Sequence, residues 1–169
     1  MERVEKEKRM KTRIMVGLAA VAIGAAALVA TASQAGASQE LVLNAHQTNI
    51  QFVIGGKSSI TPPTAAPGPG DSFVIRDDLL RGTTLVGFDN VICTVTFNNN
   101  VLCNAVLALN GIGDIHATAL LRGNPDGSTP AVFDATIDGG TFAYRDARGY
   151  AHIVDNPNGV DSVDNINLD

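Results

Sequence analysis

The chain has 169 residues with a formal net charge of −5, 45% hydrophobic residues and no Trp. This length suits one domain with a core of Val, Ile, Leu, Ala and Phe. The acidic balance argues against nucleic acid and anionic membrane surfaces as partners.

A basic segment followed by an apolar run opens the chain. Residues 1–13 hold six of the twelve Lys and Arg, and residues 14–30 are uncharged and rich in Ala, Val, Ile and Leu. This order predicts a secretory signal peptide over residues 1–37, cleaved after Ala37 or, as the alternative, after Ala32. Roughly 17 apolar residues is also the lower limit for an uncleaved membrane anchor, but the small residues that follow favour cleavage. We therefore expect a secreted mature chain without stable membrane insertion, with 6 basic and 14 acidic residues.

Eight β-branched runs separated by Gly, Pro, Asn and Asp follow the leader. No apolar pattern keeps a helical period, so the sequence predicts an all-β domain whose neighbouring strands pair antiparallel through short turns such as 124–127. The strands are expected at approximately 41–54, 72–80, 84–96, 101–110, 113–122, 131–138, 141–154 and 160–168. The connection 55–70, rich in Pro and Gly, is expected to lack regular structure, either as a mobile flap or as a crossing over one end of the sheet. Such strands form a sandwich or a closed barrel, and composition does not choose between them.

Cys93 and Cys103 are the only cysteines, and they flank two β-rich runs around Asn98-Asn99-Asn100. If these runs pair symmetrically about Asn98, the two cysteines lie opposite one another, at a distance that a disulfide can bridge. In an oxidising compartment this arrangement predicts a disulfide.

Alternation within the strands predicts which side chains point inward. The odd-numbered positions of 91–97, 103–109, 115–121 and 133–137 are apolar and are expected inside. In the expected strand 141–154, the small residues Ala143, Ala147 and Ala151 share a face with Arg145. The pattern therefore predicts Arg145 as a cation that points into an apolar interior, with Tyr144 and Tyr150 outside.

Residues 139–151, GGTFAYRDARGYA, resemble the GGTG-x-[FY]-x-x-ARG-x-A signature of dirigent proteins and allene oxide cyclase-like barrels. Upstream, GDSF at 70–73, DDL at 77–79 and Gly82 are similar to a second stretch of that superfamily. The resemblance runs from about residue 40 to the C-terminus. It implies an eight-stranded antiparallel β-barrel whose lumen binds a hydrophobic small molecule, often in a homo-oligomer. Phe142 stands where the family usually has a glycine, which predicts a locally altered turn.

Known members of this superfamily hold a reactive guest in a fixed shape. The resemblance therefore implies an isomerase, cyclase or dirigent-like protein that steers cyclisation or coupling without a cofactor. It points to Asp77 and Arg145 as catalytic residues, with Arg145 holding a developing anion and Asp77 moving a proton. Further ligand contacts are expected at Phe73, Ile75, Leu107, Phe133, Asp138 and Ala147, and Asp138 is a second partner for Arg145. The alternative hypothesis is a non-catalytic extracellular binding, carrier or envelope-associated barrel, in which the Asp–Arg pair serves the scaffold.

Metal and cofactor motifs are weak or absent in the sequence. No nucleophile elbow, phosphate loop or zinc pattern occurs, so no cofactor and no metal are expected. The segment 155–169 has the composition of a calcium loop, but Pro157 occupies a place that would need an oxygen ligand. We expect an Asx-rich turn there, and we expect surface positions for His46, His116 and His152, which lie on three different predicted strands.

Overall fold

The structure is a computed structural model that describes residues 39–123 and 130–169. The expected leader with both cleavage sites, and the expected turn at 124–127, lie outside the described residues. Within the described ranges, no helix has the length and apolar character needed to cross a bilayer.

All of the regular structure in the described ranges is β-strand apart from two short 3₁₀ helices, Phe97–Asn99 and Phe142–Tyr144. The strands are β1 (Gln39–Ile54), β2 (Lys57–Ser59), β3 (Ser72–Arg81), β4 (Thr84–Val95), β5 (Val101–Leu109), β6 (Gly113–Leu121), β7 (Val132–Gly140), β8 (Gly149–Asp155) and β9 (Asp161–Leu168). The expected all-β class is confirmed.

The long strand β1 closes the sheet into a barrel. One side of β1 pairs with β3 and the other with β9, and each further strand pairs antiparallel with the next along the chain. Eight strands therefore form a closed barrel, which leaves no open edge in the ring. The short strand β2 is not part of this ring of eight. It pairs with residues Phe52–Ile54 at the end of β1. Regular structure inside 55–70 was not expected, and this part of the sequence-based prediction is wrong.

The hairpin between β4 and β5 has the expected register. Cys93 lies opposite Cys103, their Cα atoms are 4.0 Å apart, and the two residues form a disulfide. Phe97 is an exception to the predicted alternation. It falls in the 3₁₀ helix of the turn, beyond the end of β4, and is 79% exposed instead of pointing inward.

Residues 141–148 are the main departure from the predicted strands. At Thr141, the residue after β7, the N–H donates to the Asp114 carbonyl oxygen at 2.9 Å, and the Oγ1 accepts a hydrogen bond from the Asp114 N–H, also at 2.9 Å. The chain then turns through the 3₁₀ helix, and β8 begins only at Gly149. Tyr144, expected outside, is buried, and Ala143 and Arg145, expected inside, are exposed.

Large and small side chains divide the barrel interior into two halves. The fully buried residues Leu43, Leu79, Ile115 and Ile166 fill the half near the β3–β4, β5–β6 and β7–β8 connections, and Tyr144 packs into the same buried cluster. Toward the other end, β5 to β8 place five alanines in the interior: Ala105, Ala117, Ala119, Ala135 and Ala151. Because these alanines are too short to meet across a barrel of eight strands, that half keeps a cavity.

Candidate functional site

The cavity is the lumen of the barrel and has a volume of about 230 Å³. Alanines on paired strands create it: Ala105 lies opposite Ala117, and Ala135 lies opposite Ala151. The remaining wall is mostly apolar and includes Phe73, Ile75, Val91, Leu107, Leu121, Phe133, Ile137, Ile153 and the disulfide. Such a space excludes water from most of a guest's surface and favours an apolar molecule.

Four carboxyl groups line one side of this apolar lumen. Asp77 on β3, Asp89 on β4, Asp155 on β8 and Asp164 on β9 all belong to its wall. Asp77 and Asp89 are directly opposite each other in the β3–β4 ladder, so their Cβ atoms are separated by about 5 Å. The Asp77 N–H donates a hydrogen bond to Asp89 Oδ1 at 3.2 Å. The two carboxyl groups are thus held close together by the backbone of two adjacent strands.

Burial changes the protonation of these groups. Burial, followed by the negative charges of Asp77 and Asp164, raises the pKa of Asp89 to about 8. Burial also raises the pKa of Asp164 to about 6, although the Ser162 hydroxyl donates a hydrogen bond to Asp164 Oδ1 at 2.9 Å. The pKa values of Asp77 and Asp155 are raised as well, again mainly by burial. The pair of Asp77 and Asp89 therefore retains a proton at neutral pH.

A second cavity of about 220 Å³ adjoins the lumen. It shares Ile75, Asp77, Asp155 and Ser162 with the lumen, and it adds residues from β1 and from the start of β9, among them Gln47 and Asp161. We call it the mouth cavity, because its residues lie where β8 ends and β9 begins. Asp77 therefore stands between the mouth cavity and the lumen.

The connection 55–70 is fastened beside the barrel. One Asp71 carboxylate accepts hydrogen bonds from the Gly55 N–H and the Gly68 N–H, each at 2.8 Å. None of the described residues 55–70 lines the lumen or the mouth cavity. The segment is therefore not part of the wall of either cavity.

The structure brings together most of the residues that the sequence nominated, but not the catalytic pair. Of the nominated residues, Phe73, Ile75, Asp77, Leu107 and Phe133 line the lumen, and their roles in binding or catalysis stay predictions.

Arg145, Asp138 and Ala147 lie elsewhere, and their expected positions are wrong. Arg145 is exposed, because the segment expected to be a strand is a turn that carries its side chain away from the lumen. Asp138 is exposed on β7, where it accepts a hydrogen bond from Thr118 Oγ1 at 3.1 Å. Ala147 packs against the buried cluster without lining the lumen. No cation therefore faces Asp77 from residues 141–148.

Asp89, Asp155 and Asp164 are lumen residues that the sequence analysis missed. Two of them, Asp89 and Asp155, had a signal in the sequence that could have found them. Asp89 has the inward parity of Val91 and Cys93, and Asp155 has the parity of Ala151 and Ile153. A carboxylate at an inward position of an apolar strand is a signal of a polar group in the lumen.

Comparisons with known proteins identify the fold. No protein-family model matches the chain. No curated protein matches it. Among solved structures, a pyocyanin demethylase superimposes with a TM-score of 0.59 at 21% identity, over 76% of this chain and 99% of the other. A pterocarpan synthase dirigent protein superimposes with a TM-score of 0.52 at 19% identity, over 80% of this chain and 96% of the other. The chain thus has the eight-stranded barrel fold of the dirigent and allene oxide cyclase-like proteins, as its sequence motifs implied.

Proposed function

We propose that this protein is a secreted barrel that binds an apolar small molecule in its lumen and transforms it by proton transfer with Asp77 and Asp89. The observation that carries the proposal is the placement of two adjacent carboxyl groups inside a mostly apolar cavity. A cavity of roughly 150 Å³ accepts benzene. The larger lumen of this protein therefore suits a guest of more than one ring.

The two carboxyl groups have complementary protonation states. Asp89, whose pKa is about 8, holds a proton at neutral pH and acts as the acid, and Asp77 acts as the base. When Asp89 gives a proton to one atom of the guest and Asp77 takes one from another, the guest gains and loses nothing overall. A proton transfer from Asp77 back to Asp89 restores the starting state. Such a cycle performs an isomerisation, and cyclisation of a bound chain is one example.

The lumen walls supply the second part of the proposed mechanism. The apolar side chains of the lumen wall hold a flexible guest in one shape, which removes conformational entropy before the reaction. Two barrels of the same fold are named for small-molecule chemistry, the pyocyanin demethylase and the pterocarpan synthase dirigent protein. Their names support a lumen that acts on a small molecule, and cyclisation is the isomerisation that we propose for this chain.

The test compares the small molecules that co-purify with the mature wild-type protein and with Asp89→Asn. Liquid chromatography with mass spectrometry should find in Asp89→Asn a compound of the same mass as the wild-type compound at a different retention time, because the variant holds unreacted guest. Arg145→Leu serves as the control, since this exposed side chain lies outside the lumen. Release of one identical compound from all three proteins would identify a carrier instead of an enzyme. Absence of any guest even from protein isolated with its native medium would contradict binding itself.

A further inference from the structure

The charged groups around the two cavities are all of one sign. The lumen has Asp77, Asp89, Asp155 and Asp164 in its wall, and the mouth cavity adds Asp161. By contrast, the six Lys and Arg of residues 39–123 and 130–169 are all exposed, and none lines either cavity. His46 stands near the mouth, but its Nδ1 already pairs with Asp161 Oδ1 at 2.5 Å.

These carboxyl groups also have unused hydrogen-bonding capacity. Oδ1 of Asp77 is buried and has no hydrogen-bond partner among the described residues. Asp89 is only 4% exposed, and its described hydrogen bond is the one it accepts from the Asp77 N–H. Asp164 is 7% exposed, with Ser162 as its described partner. A buried carboxylate without a counter-charge is costly, so a group that enters the lumen and supplies positive charge gains binding energy.

We infer that the guest of this lumen is an apolar molecule that carries a positive charge, and that the charge lies against Asp77 and Asp89. This inference rests on the proposed function, because it names the class of guest for the same cavity. An anionic guest would meet repulsion from every charged group in the wall. The mouth cavity beside the lumen is acidic too, and this raises the local concentration of a cation.

The arrangement favours an organic cation over a metal ion. No three His, Cys, Asp or Glu side chains of the described residues are grouped so that they could hold one metal ion. The apolar wall opposite the carboxyl groups suits ring carbons, which a hydrated metal ion does not offer. A positive charge on the guest also makes neighbouring C–H and N–H groups more acidic. This effect matches the proposed role of Asp77 as a base.

The test uses three bicyclic probes of similar size that differ in charge. Isothermal titration at pH 8.5 should give N-methylquinolinium at least tenfold tighter binding than neutral 1-methylnaphthalene, and no detectable binding of 1-naphthoate. Equal or tighter binding of the neutral probe would overturn the inference and leave the proposed apolar guest intact. If none of the three probes binds, the proposed lumen function fails together with the inference.

Variants localise the effect to the lumen. Asp77→Asn and Asp89→Asn should each reduce the preference for the cation at least fivefold while the neutral probe binds as before. Asp138→Asn removes the same charge from the outer face of β7 and should keep the wild-type preference. An equal loss in Asp138→Asn would assign the preference to the net charge of the protein and overturn the assignment to Asp77 and Asp89.

Discussion

Asp77 on β3 lies directly opposite Asp89 on β4, and the Asp77 N–H donates a hydrogen bond to Asp89 Oδ1 at 3.2 Å. Two carboxyl groups so close in an apolar lumen cannot both ionise easily, because each charge disfavours the other. The pair therefore keeps a proton in a pH range in which most carboxyl groups are ionised. The stability of the protein and its preference for a guest should therefore both depend on the ionisation of this pair.

The stability of the protein should fall as the pH rises from about 4 to 9. Asp89 has a pKa of about 8 in the folded state against an ordinary value of 3.8, and the pKa of Asp164 is about 6. Between the ordinary pKa of 3.8 and these raised values, the folded state binds more protons than the unfolded chain. The free energy of unfolding therefore decreases as the pH rises. Urea denaturation should show a loss on the order of 5 kcal/mol or more across this interval, at about 1.4 kcal/mol per pKa unit. Asp77 and Asp155, whose pKa values are also raised, act in the same direction.

Asp89→Asn should flatten this pH profile and be more stable than the wild type at pH 9, since it removes a charge that the lumen does not stabilise. Asp138→Asn should retain the wild-type slope. The hydrogen bond with Asp161 raises the pKa of His46. The contribution of His46 to the free energy of unfolding is therefore also lost as the pH rises. A profile unchanged in Asp89→Asn would show that Asp89 is not the proton-binding group.

Filling the lumen should abolish guest binding without harming the fold. Ala119 on β6 lines the cavity, and Ala119→Leu adds three carbon atoms to a space of about 230 Å³. We expect at least a tenfold loss of affinity for N-methylquinolinium, with the free energy of unfolding unchanged or raised by about 1 kcal/mol. The matched control is Leu120→Phe, which adds volume at a neighbouring side chain that is 54% exposed. Unchanged affinity in Ala119→Leu would place the guest outside the lumen.

Removal of the disulfide should weaken the protein but leave the barrel folded. The Cys93–Cys103 bond closes a short loop, for which the chain-entropy estimate is about 2–3 kcal/mol. Cys93→Ala combined with Cys103→Ala should lose this amount in urea denaturation, while the β-sheet circular dichroism spectrum stays. The fold persists because the buried cluster of Leu and Ile side chains does not depend on the bond. Two free thiols in denatured, unreduced wild-type protein would contradict the disulfide.

Phe142→Gly should stabilise the protein. Phe142 has a φ of 47°, in the left-handed region that favours glycine, and its side chain is 82% exposed. Relief of this conformation, less the extra entropy of glycine in the unfolded chain, should raise the free energy of unfolding by roughly 0.5–1 kcal/mol. Phe142→Ala keeps the Cβ atom and should give no such gain. If alanine stabilises as much as glycine, the exposed ring and not the backbone is the source of the cost.

Export is testable at the N-terminus of the protein. Expression in a secreting host should yield a mature chain that begins at Ser38, or at Ser33 if the alternative site is used, because small residues precede both sites. N-terminal sequencing of the protein in the medium measures this directly. An intact Met1 terminus in the membrane fraction would replace cleavage with anchoring.

The sequence by itself determined the β-class, the strand ranges of most of the barrel and the cysteine pairing. These features follow from local rules: side chains alternate along a strand, short turns force antiparallel neighbours, and the symmetry about Asn98 fixes which cysteines face each other. The prediction of a closed barrel came from the family motifs, because the strand pattern in the sequence would be the same in a sandwich. The segment 141–148 was wrongly predicted to be a strand, because its small residues alternate as they would in a strand. The three hydrogen bonds between Thr141 and Asp114, 27 residues apart, are not visible in a local pattern.

Only the tertiary structure decided what the lumen contains. Asp77, Asp89, Asp155 and Asp164 are spread over 88 positions of the chain, and closure through the β1–β9 pairing brings their strands to one side of the cavity. The expected Asp77–Arg145 pair required both residues to point inward, and a single turn moved Arg145 to the surface. The local pattern thus set which way most side chains point. Register and closure set which of them meet, because contacts across a barrel depend on the path of all eight strands.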